Sequence, residues 1–594
     1  MPVVNATIAA IFDEIADLLD IQGANPFRVR AYRNAARTIG ELGTDIKILM
    51  ERGTALTDIP GIGEDLSNKI AEIVETGKCR FLERLRKEVP PAVTELLRIP
   101  GLGPKRVKIL WHDLEIQTLE QLLRAAKEGR IRELHGFGEK TEERILEAAQ
   151  AHLTEARRFK LSVAAQHAEG LTAYLSKVRG VRKVETAGSL RRMRETVGDL
   201  DLLVAADAGS PVMERFASYE EVKEVLASGP TRGTVILKAG IQVDVRVIPQ
   251  ESYGAALQYF TGSKAHNIAL RRIAQDKGYK LNEYGVFKGE RRVAGETEES
   301  VYKALGLRWI PPELREDRGE IEAARAGKLP KLVELADLRG DLHVHSKASD
   351  GHNTIQEMAL AARERGLQYI AITEHSKRLT VAHGLDVARL TKQIAEIARL
   401  NEELSGISVL SGIEVDILDD GTLDLPDSVL AKLDIVVAAV HSKFDLPRAR
   451  QTERILRALD NPHVKILAHP TGRLIDEREA YDVEMQRVIR RARERGVALE
   501  VNAHPQRLDL LDTHCQMAKD EGVLVAINSD AHSTFEFDGL RFGVGQARRG
   551  WLEKRDVLNT RTLKELRAAL RPARAKRVPG ASGIELSKRP AARR

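Results

Sequence analysis

Cysteine is nearly absent: 594 residues hold two, Cys79 and Cys515, far apart and outside any Cys-x-x-Cys pattern. That excludes a disulfide scaffold, a zinc ribbon and a dithiol redox centre, and it fits a reducing compartment. No uninterrupted apolar run is long enough to span a bilayer, so no membrane role is expected. The N-terminal MPVVNATIAAIFDEIADLLD sets acidic residues within its apolar stripe and has no basic leader, and reads as a helix of the mature protein rather than a signal. A strong excess of one charge is missing too. Lys and Arg number 93 against 87 Asp and Glu, a net +6. The pI near 9.0 hints only mildly at an acidic partner, so local basic clusters must carry any nucleic-acid reading. Cytoplasm, in association with the nucleoid, is the expected location.

The rest of the composition is that of a globular protein, with 30% charged and 43% hydrophobic residues. The chain is too long for one core, and three or more domains are expected. Residues 1 to about 150 show helical spacing with short glycine-bearing breaks. From about 160 to 255, VRKVETAGSL, DLDLLVAA, GTVILKA and IQVDVRVIP read as strands of a small sheet. A more polar, mixed pattern follows to 318, and the charged stretch over 315–331 reads as a connector. Beyond 340, YIAIT, IVVAAV, VKILAH, VALEV and VLVAIN alternate with helical segments, the signature of a parallel α/β domain or barrel. The last residues carry eight basic side chains against one acid, Glu585, and read as a basic, disordered tail.

Three segments repeat one break: IPGIGEDLSNKI (59–70), IPGLGPKRVKIL (99–110) and LHGFGEKTEERIL (134–146). Each sets Gly-x-Gly before a helix, at Gly61 and Gly63, Gly101 and Gly103, Gly136 and Gly138. Such a turn leaves backbone N–H groups free at a helix N-terminus and lets a phosphate backbone come close. A single copy would be ordinary punctuation. Three copies, with Lys105, Arg106 and Lys140 following, predict helix-hairpin-helix motifs that grip nucleic acid without reading bases.

In AGSLRRMRETVGDLDLLV, Asp199 and Asp201 lie two residues apart in a strand and therefore share a face. Adjacent carboxylates repel unless a hard divalent cation joins them. A third acid, Asp244, sits in the apolar strand IQVDVRVIP, where an unpaired charge would be costly. Gly188 and Ser189 offer a phosphate-facing turn, and Arg191 and Arg192 offer forked donors.

Gly-Ser-x-Arg-Arg, Gly-Asp-x-Asp, the later Asp, YFTGSKAHNIALR (259–271) and LNEYG (281–285) together resemble the palm and thumb of a family X DNA polymerase. The resemblance covers about residues 1–318, including the hairpins. It implies that Asp199, Asp201 and Asp244 hold two Mg²⁺ or Mn²⁺ ions for in-line nucleotidyl transfer. Gly188, Ser189 and Arg192 would bind the phosphates, with Arg191 beside them. Tyr259, Phe260 and Gly262 would pack on the sugar, and Asn267 and Arg271 would reach the minor groove. Lys264 and His266 depart from several eukaryotic members. Lys69 aligns with the lysine that forms a Schiff base with 5′-deoxyribose phosphate in lyase-active members, with Tyr32 as helper and Asp65 replacing a basic neighbour. An ordinary solvated lysine is an equal reading there.

Eleven of the sixteen histidines fall between 343 and 532. His343, His345, Asp350, His375, Glu414, His441, His469, Asp530 and His532 sit at or just beyond the ends of strand-like runs, where a parallel barrel gathers functional side chains. Imidazole and carboxylate ligands suit Zn²⁺, Mn²⁺ or Fe²⁺. These nine positions resemble the ligand pattern of a PHP (polymerase and histidinol phosphatase) domain over about 337–570, which implies a distorted (βα)7 barrel with up to three ions, Zn²⁺ and/or Mn²⁺, and phosphoesterase activity. His352, His383, His463, His504 and His514 read as ordinary polar residues.

The expected fold is therefore multidomain: an all-α helix-hairpin-helix region, an α+β nucleotidyltransferase palm with thumb, and a C-terminal α/β barrel. Its expected division is an 8-kDa-like domain (1–88), a fingers-like domain (89–155), palm (156–255), thumb (256–318), linker (319–336), PHP domain (337–572) and tail (573–594). The expected function is gap filling in base excision repair on gapped or nicked DNA with dNTPs. To it the barrel adds 3′–5′ exonuclease, 3′-end-processing or abasic-site endonuclease action. The alternatives are a small-molecule phosphatase of the histidinol-phosphate kind with a nucleic-acid-binding appendage, and a non-catalytic repair scaffold. The scaffold should have lost ligands in one site, and no such loss is visible.

Overall fold

The structure, a computed structural model, describes residues 5–570 apart from 43–44, 90–92, 95, 100 and 155–157. The basic tail expected over 573–594 lies outside the described residues.

The N-terminal region is helical, as its spacing requires. Asn5–Gln22 packs against Pro26–Glu41, whose start is fixed by Pro26 and by the Asn25 side chain accepting from the Phe27 N–H. Ile8, Phe12, Tyr32, Ile70, Leu110 and Ile145 belong to one buried cluster, so the hairpins of both halves of this region share a core.

The palm sheet has five strands in the order Val181–Thr186, Asp199–Ala206, Gln242–Ile248, Arg232–Leu237 and Val222–Ser228. All neighbours are antiparallel except Asp199–Ala206 with Gln242–Ile248, which run parallel. Leu161–Leu175 covers one face with Ala164, Ala168 and Leu171. The thumb follows as helices Tyr253–Thr261 and Lys264–Asp276, a three-stranded antiparallel sheet over 280–294, and helix Glu298–Ala304.

The charged stretch expected as a connector is folded and packed. It forms helix Glu320–Ala326, and two of its ions are wholly buried. Arg315 donates to Glu298 at 2.6 Å, and Glu320 meets the His266 ring at 2.6 Å. Their charges are spent on partners rather than on solvent.

From residue 340 seven parallel strands run in sequence order: Gly340–Val344, Tyr369–Ile372, Ser408–Asp416, Ile435–Ala439, Ile466–Leu467, Ala498–Asn502 and Val525–Asn528. All seven are buried on both faces apart from one half-buried position, Ser408, which explains their unbroken apolar runs. A parallel bridge from Val344 to Ala531 and the bond from the His345 N–H to the Ala531 carbonyl at 2.9 Å bring the first strand against the segment after the last. The barrel also clamps the other parts. Ile475, Leu508 and Phe542 enter the palm core, Phe535 packs on the N-terminal helices, and Trp551 packs on the thumb.

Candidate active sites

The parallel pairing of the two central palm strands places Asp201 directly beside Asp244, and Asp199, two residues before Asp201, on the same face. Burial, reinforced by the charges of Asp199 and Asp244, pushes the Asp201 carboxyl up to about 7. Asp244 is turned toward its own sheet: Thr234 donates to it at 2.6 Å and Gln242 at 2.8 Å. The triad is more open than the barrel clusters below, but a buried carboxylate crowded by two others fits a hard divalent cation.

Gly188 opens the short helix Gly188–Arg191 with φ of +61°, and a Cβ there would overlap the Asp201 carboxylate. Glycine is thus required twice, for its backbone angle and for the acid behind it. A cleft of about 830 Å³ joins Gly188, Ser189, Arg192, Asp199 and Asp201 to Tyr259, Phe260, Gly262, Asn267 and Arg271. Nearly all expected nucleotide-site residues therefore meet in one space. Arg271 lies over the Tyr259 ring at 5.1 Å, and Asn267 donates to the Tyr259 carbonyl at 2.7 Å.

Arg191 departs from expectation. Its guanidinium forms a two-pronged pair with Glu298 at 2.8 and 2.8 Å and donates to Thr261 at 2.7 Å, so it ties palm to thumb behind the cleft. His266 also points away, buried between Glu320 and Tyr302. Lys264, noted in the sequence as a departure, lines the cleft, and so do Arg158 and Glu316, which sequence reasoning missed because nothing local marks them.

The three hairpin turns are built alike. Gly61, Gly101 and Gly136 have φ of +72°, +91° and +85°; Ile62, Leu102 and Phe137 anchor the turns in the core. Gly63, Gly103 and Gly138 have ordinary backbone angles, and a Cβ there would meet nothing within 4 Å. The protein itself does not require glycine at those three positions, and the open space there would admit close approach of a partner's backbone. Lys105 and Lys140 are exposed beside their turns, whereas Arg106 donates back to the Gly101 carbonyl at 2.7 Å. The first turn also faces Lys347, His352 and Asn353 of the barrel rim across a cleft of about 810 Å³.

Lys69 lies in the helix after the first turn, 6.0 Å from the Tyr32 ring centre and 5.5 Å from that of Phe81. Burial opposes its charge, but the bond to Asp65 at 2.5 Å and the nearby Tyr32 outweigh that and raise its pKa. A nucleophilic lysine needs the opposite shift.

In the barrel all nine expected ligands converge. Three groups have ligand atoms within 4.8 Å of one another: His345, Asp350, His375 and His532; His343, His345 and Asp530; His375, Glu414 and His441. His469 joins through Glu414 at 3.0 Å. Among the described residues these are the clusters that close so tightly. His343 Nε2 and both ring nitrogens of His345 are buried without a hydrogen-bond partner and face carboxylate oxygens of Glu414, Asp530 and Asp350 at 3.3–3.9 Å, while His375 Nδ1 meets Glu414 Oε2 at 2.7 Å. Unpartnered buried donor atoms aimed at one centre fit metal ions and little else. Burial and neighbouring imidazoles depress His345 to about 3, whereas His441, although buried, is raised to about 10 by Glu414 and Asp416.

A second ring of groups orients these ligands. Glu500 accepts from His343 Nδ1 at 2.7 Å and from the His469 N–H at 2.8 Å, Asp416 holds His441 Nδ1 at 2.5 Å, and Asn502 donates to Asp530 at 2.9 Å. Such partners fix ring tautomer and basicity. Glu500 and Asn502 lie on one strand face two residues apart, the same spacing that marks Asp199 and Asp201, and that signal could have found them.

A palm cleft with paired acids and a phosphate turn, beside a barrel mouth lined by imidazoles and carboxylates, defines a nucleic-acid-processing enzyme with two metal-dependent centres. Over 571 residues the chain is 41% identical to the DNA polymerase/3′-5′ exonuclease PolX of Bacillus subtilis (strain 168), covering 95% of this chain and 99% of that one. It belongs to that family, the bacterial family X DNA polymerases with a C-terminal PHP domain. Residues 3–79 match the helix-hairpin-helix domain, 93–151 the SAM-like helix-hairpin-helix tandem, 256–316 the DNA polymerase beta thumb and 341–504 the PHP domain. The barrel region is also 32% identical over 232 residues to a probable phosphatase of Thermoanaerobacter sp. (strain X514), covering 37% of this chain and 89% of the relative.

Proposed function

We propose that this family X polymerase fills short gaps in DNA with its palm cleft and trims 3′ ends with its barrel. The observation that carries the reading is the register of Asp201 with Asp244, with Asp199 on the same face, where Asp199 and Asp201 line the cleft that also holds Ser189, Arg192 and Tyr259. Asp199, Asp201 and Asp244 would hold two Mg²⁺ or Mn²⁺ ions, which supply charge neutralisation and ease loss of the primer hydroxyl proton. Ser189 and Arg192 bind the outgoing phosphates of a dNTP. Tyr259 and Phe260 pack against the sugar, and Asn267 and Arg271 fix the base pair from the minor groove. The hairpin turns hold the DNA backbone without regard to sequence.

In the barrel, His343, His345, Asp350, His375, Glu414, His441, His469, Asp530 and His532 would hold up to three ions, Zn²⁺ and/or Mn²⁺, which supply Lewis-acid activation of a phosphodiester and of the attacking water. Glu500, Asp416 and Asn502 keep the ligands oriented. Removal of a 3′-phosphate, and incision at an abasic site, are further reactions open to the same chemistry, and the likeness of this region to probable phosphatases favours the first.

The test uses the full chain. Primer extension on a gapped duplex with Mg²⁺ should vanish in Asp199→Ala and Asp201→Ala, while digestion of a single-stranded 3′ end with Mn²⁺ persists. His343→Ala should do the reverse. Unchanged activities in both variants would refute the assignment of sites.

A further inference from the structure

The mechanism assigned to the palm uses Arg192 but leaves unexplained a buried arginine of the barrel that reaches it. Arg549 ends the barrel helix Leu540–Arg549 and is 2% exposed. One nitrogen of its guanidinium donates to the Arg192 carbonyl at 2.9 Å and to Glu316 Oε1 at 2.9 Å. The other donates to Asp512 at 2.7 Å, an acid that also receives Arg318 at 2.8 Å. The same Glu316 oxygen accepts Arg192 Nε at 3.1 Å, and Arg192 donates from its NH1 nitrogen to the Thr261 carbonyl at 2.5 Å. Arg192 is largely buried, and burial, joined by the nearby charges of Arg549 and Arg194, lowers its pKa despite Glu316. Arg192 and Glu316 both line the palm cleft.

We infer that Arg549 and Glu316 are positioning residues for the polymerase reaction: the barrel, through them, holds the phosphate-binding arginine of the palm ready for the triphosphate. Two contacts fix Arg192, one from the thumb carbonyl and one from Glu316, and the residue lines the cleft. Glu316 is fixed in turn by Arg549, which also grips the Arg192 backbone. An arginine held in its working pose spends less conformational freedom on binding, and the gain falls on nucleotide affinity. The arrangement also makes polymerisation depend on the barrel without any use of the barrel's ligands.

This rests on the reading of Arg192 as a triphosphate contact, and the experiment separates the two. The KM for dNTP and kcat are measured in single-nucleotide gap filling for Arg192→Ala, Arg549→Met, Glu316→Gln and the double variant Arg192→Ala/Arg549→Met. Exonuclease activity in the same preparations checks that each chain is folded. Loss of one charge-assisted contact predicts a rise in KM of about tenfold in Arg549→Met, with kcat changed much less, and no further rise when it is added to Arg192→Ala. If Arg549→Met loses exonuclease activity as well, Glu316→Gln carries the test and should raise KM in the same way. A rise for Arg192→Ala but none for Arg549→Met or Glu316→Gln, additive effects in the double variant, or a fall in KM for Glu316→Gln would overturn the inference alone. No change for Arg192→Ala would remove the nucleotide reading of that arginine and the inference with it.

Discussion

Replacing Gly188 by alanine should damage polymerisation out of proportion to its effect on the fold. The residue sits at φ of +61°, where an L side chain costs about 1–2 kcal/mol. The added methyl would also lie inside van der Waals contact with the Asp201 carboxylate and within 3.6 Å of its Cβ. Asp201 stands in register beside Asp244, so a carboxylate pushed away by the methyl must leave its place in the triad. Displacement of a reacting group by about 1 Å costs on the order of 100-fold in rate. Gap filling by Gly188→Ala should therefore fall about 100-fold, with thermal unfolding lowered by no more than the backbone strain and exonuclease activity kept. Near-normal extension by a folded Gly188→Ala chain would show that Asp201 does not work from the position it occupies beside Gly188.

Other expected outcomes follow from the same contacts. Glu298 is buried, which alone would raise its pKa, but Arg315 and Arg191 outweigh burial and hold it down at about 2. Because its folded pKa is depressed, the stability it contributes is present above its ordinary value of 4.5 and is lost as pH falls toward 2. That stability is about 3 kcal/mol, and Glu298→Gln should flatten the acid limb of the unfolding curve. Arg191→Ala removes one of the two arginines on Glu298 and leaves Arg315 paired with it, so it should cost about 1.5–3 kcal/mol, read as a lower Tm of the palm and thumb. Glu500→Gln should weaken Mn²⁺ or Zn²⁺ retention by about 10–100-fold, measured as metal content after dialysis, with gap filling intact. Borohydride trapping on 5′-deoxyribose-phosphate DNA should be weak at neutral pH and should strengthen in Asp65→Asn, because Asp65 keeps Lys69 protonated; strong trapping by the unaltered chain would contradict this.

Much of both centres could be read directly, and the reason is periodicity. Asp199, Asp201 and Asp244 declare themselves because a strand alternates faces and an apolar run tolerates no idle charge. The nine expected barrel ligands do so because all but Asp350, which lies in the loop after the first strand, stand at or just past the end of a buried parallel strand. What escaped reading is set by contacts between distant elements. Arg191 and Arg192 are neighbours of identical type, and only the thumb's Glu298 and Thr261 draw one of them out of the cleft. The charged stretch after 314 resembles a connector until its partners Glu298 and His266, from other segments, are in place. The edge strand Val222–Ser228 is exposed almost throughout and lacks the apolar alternation that marked its neighbours. Asp416 ends the buried strand Ser408–Asp416, and its role is given by the His441 ring that folding brings to it.

The claim that two independent cation-holding centres share one chain is tested most directly by assaying both reactions on a single preparation of Asp201→Ala and a single preparation of His343→Ala. The account predicts that the first loses gap filling and retains 3′-end digestion, and that the second retains gap filling and loses digestion. Loss of both reactions in either folded variant, or of neither, would contradict it.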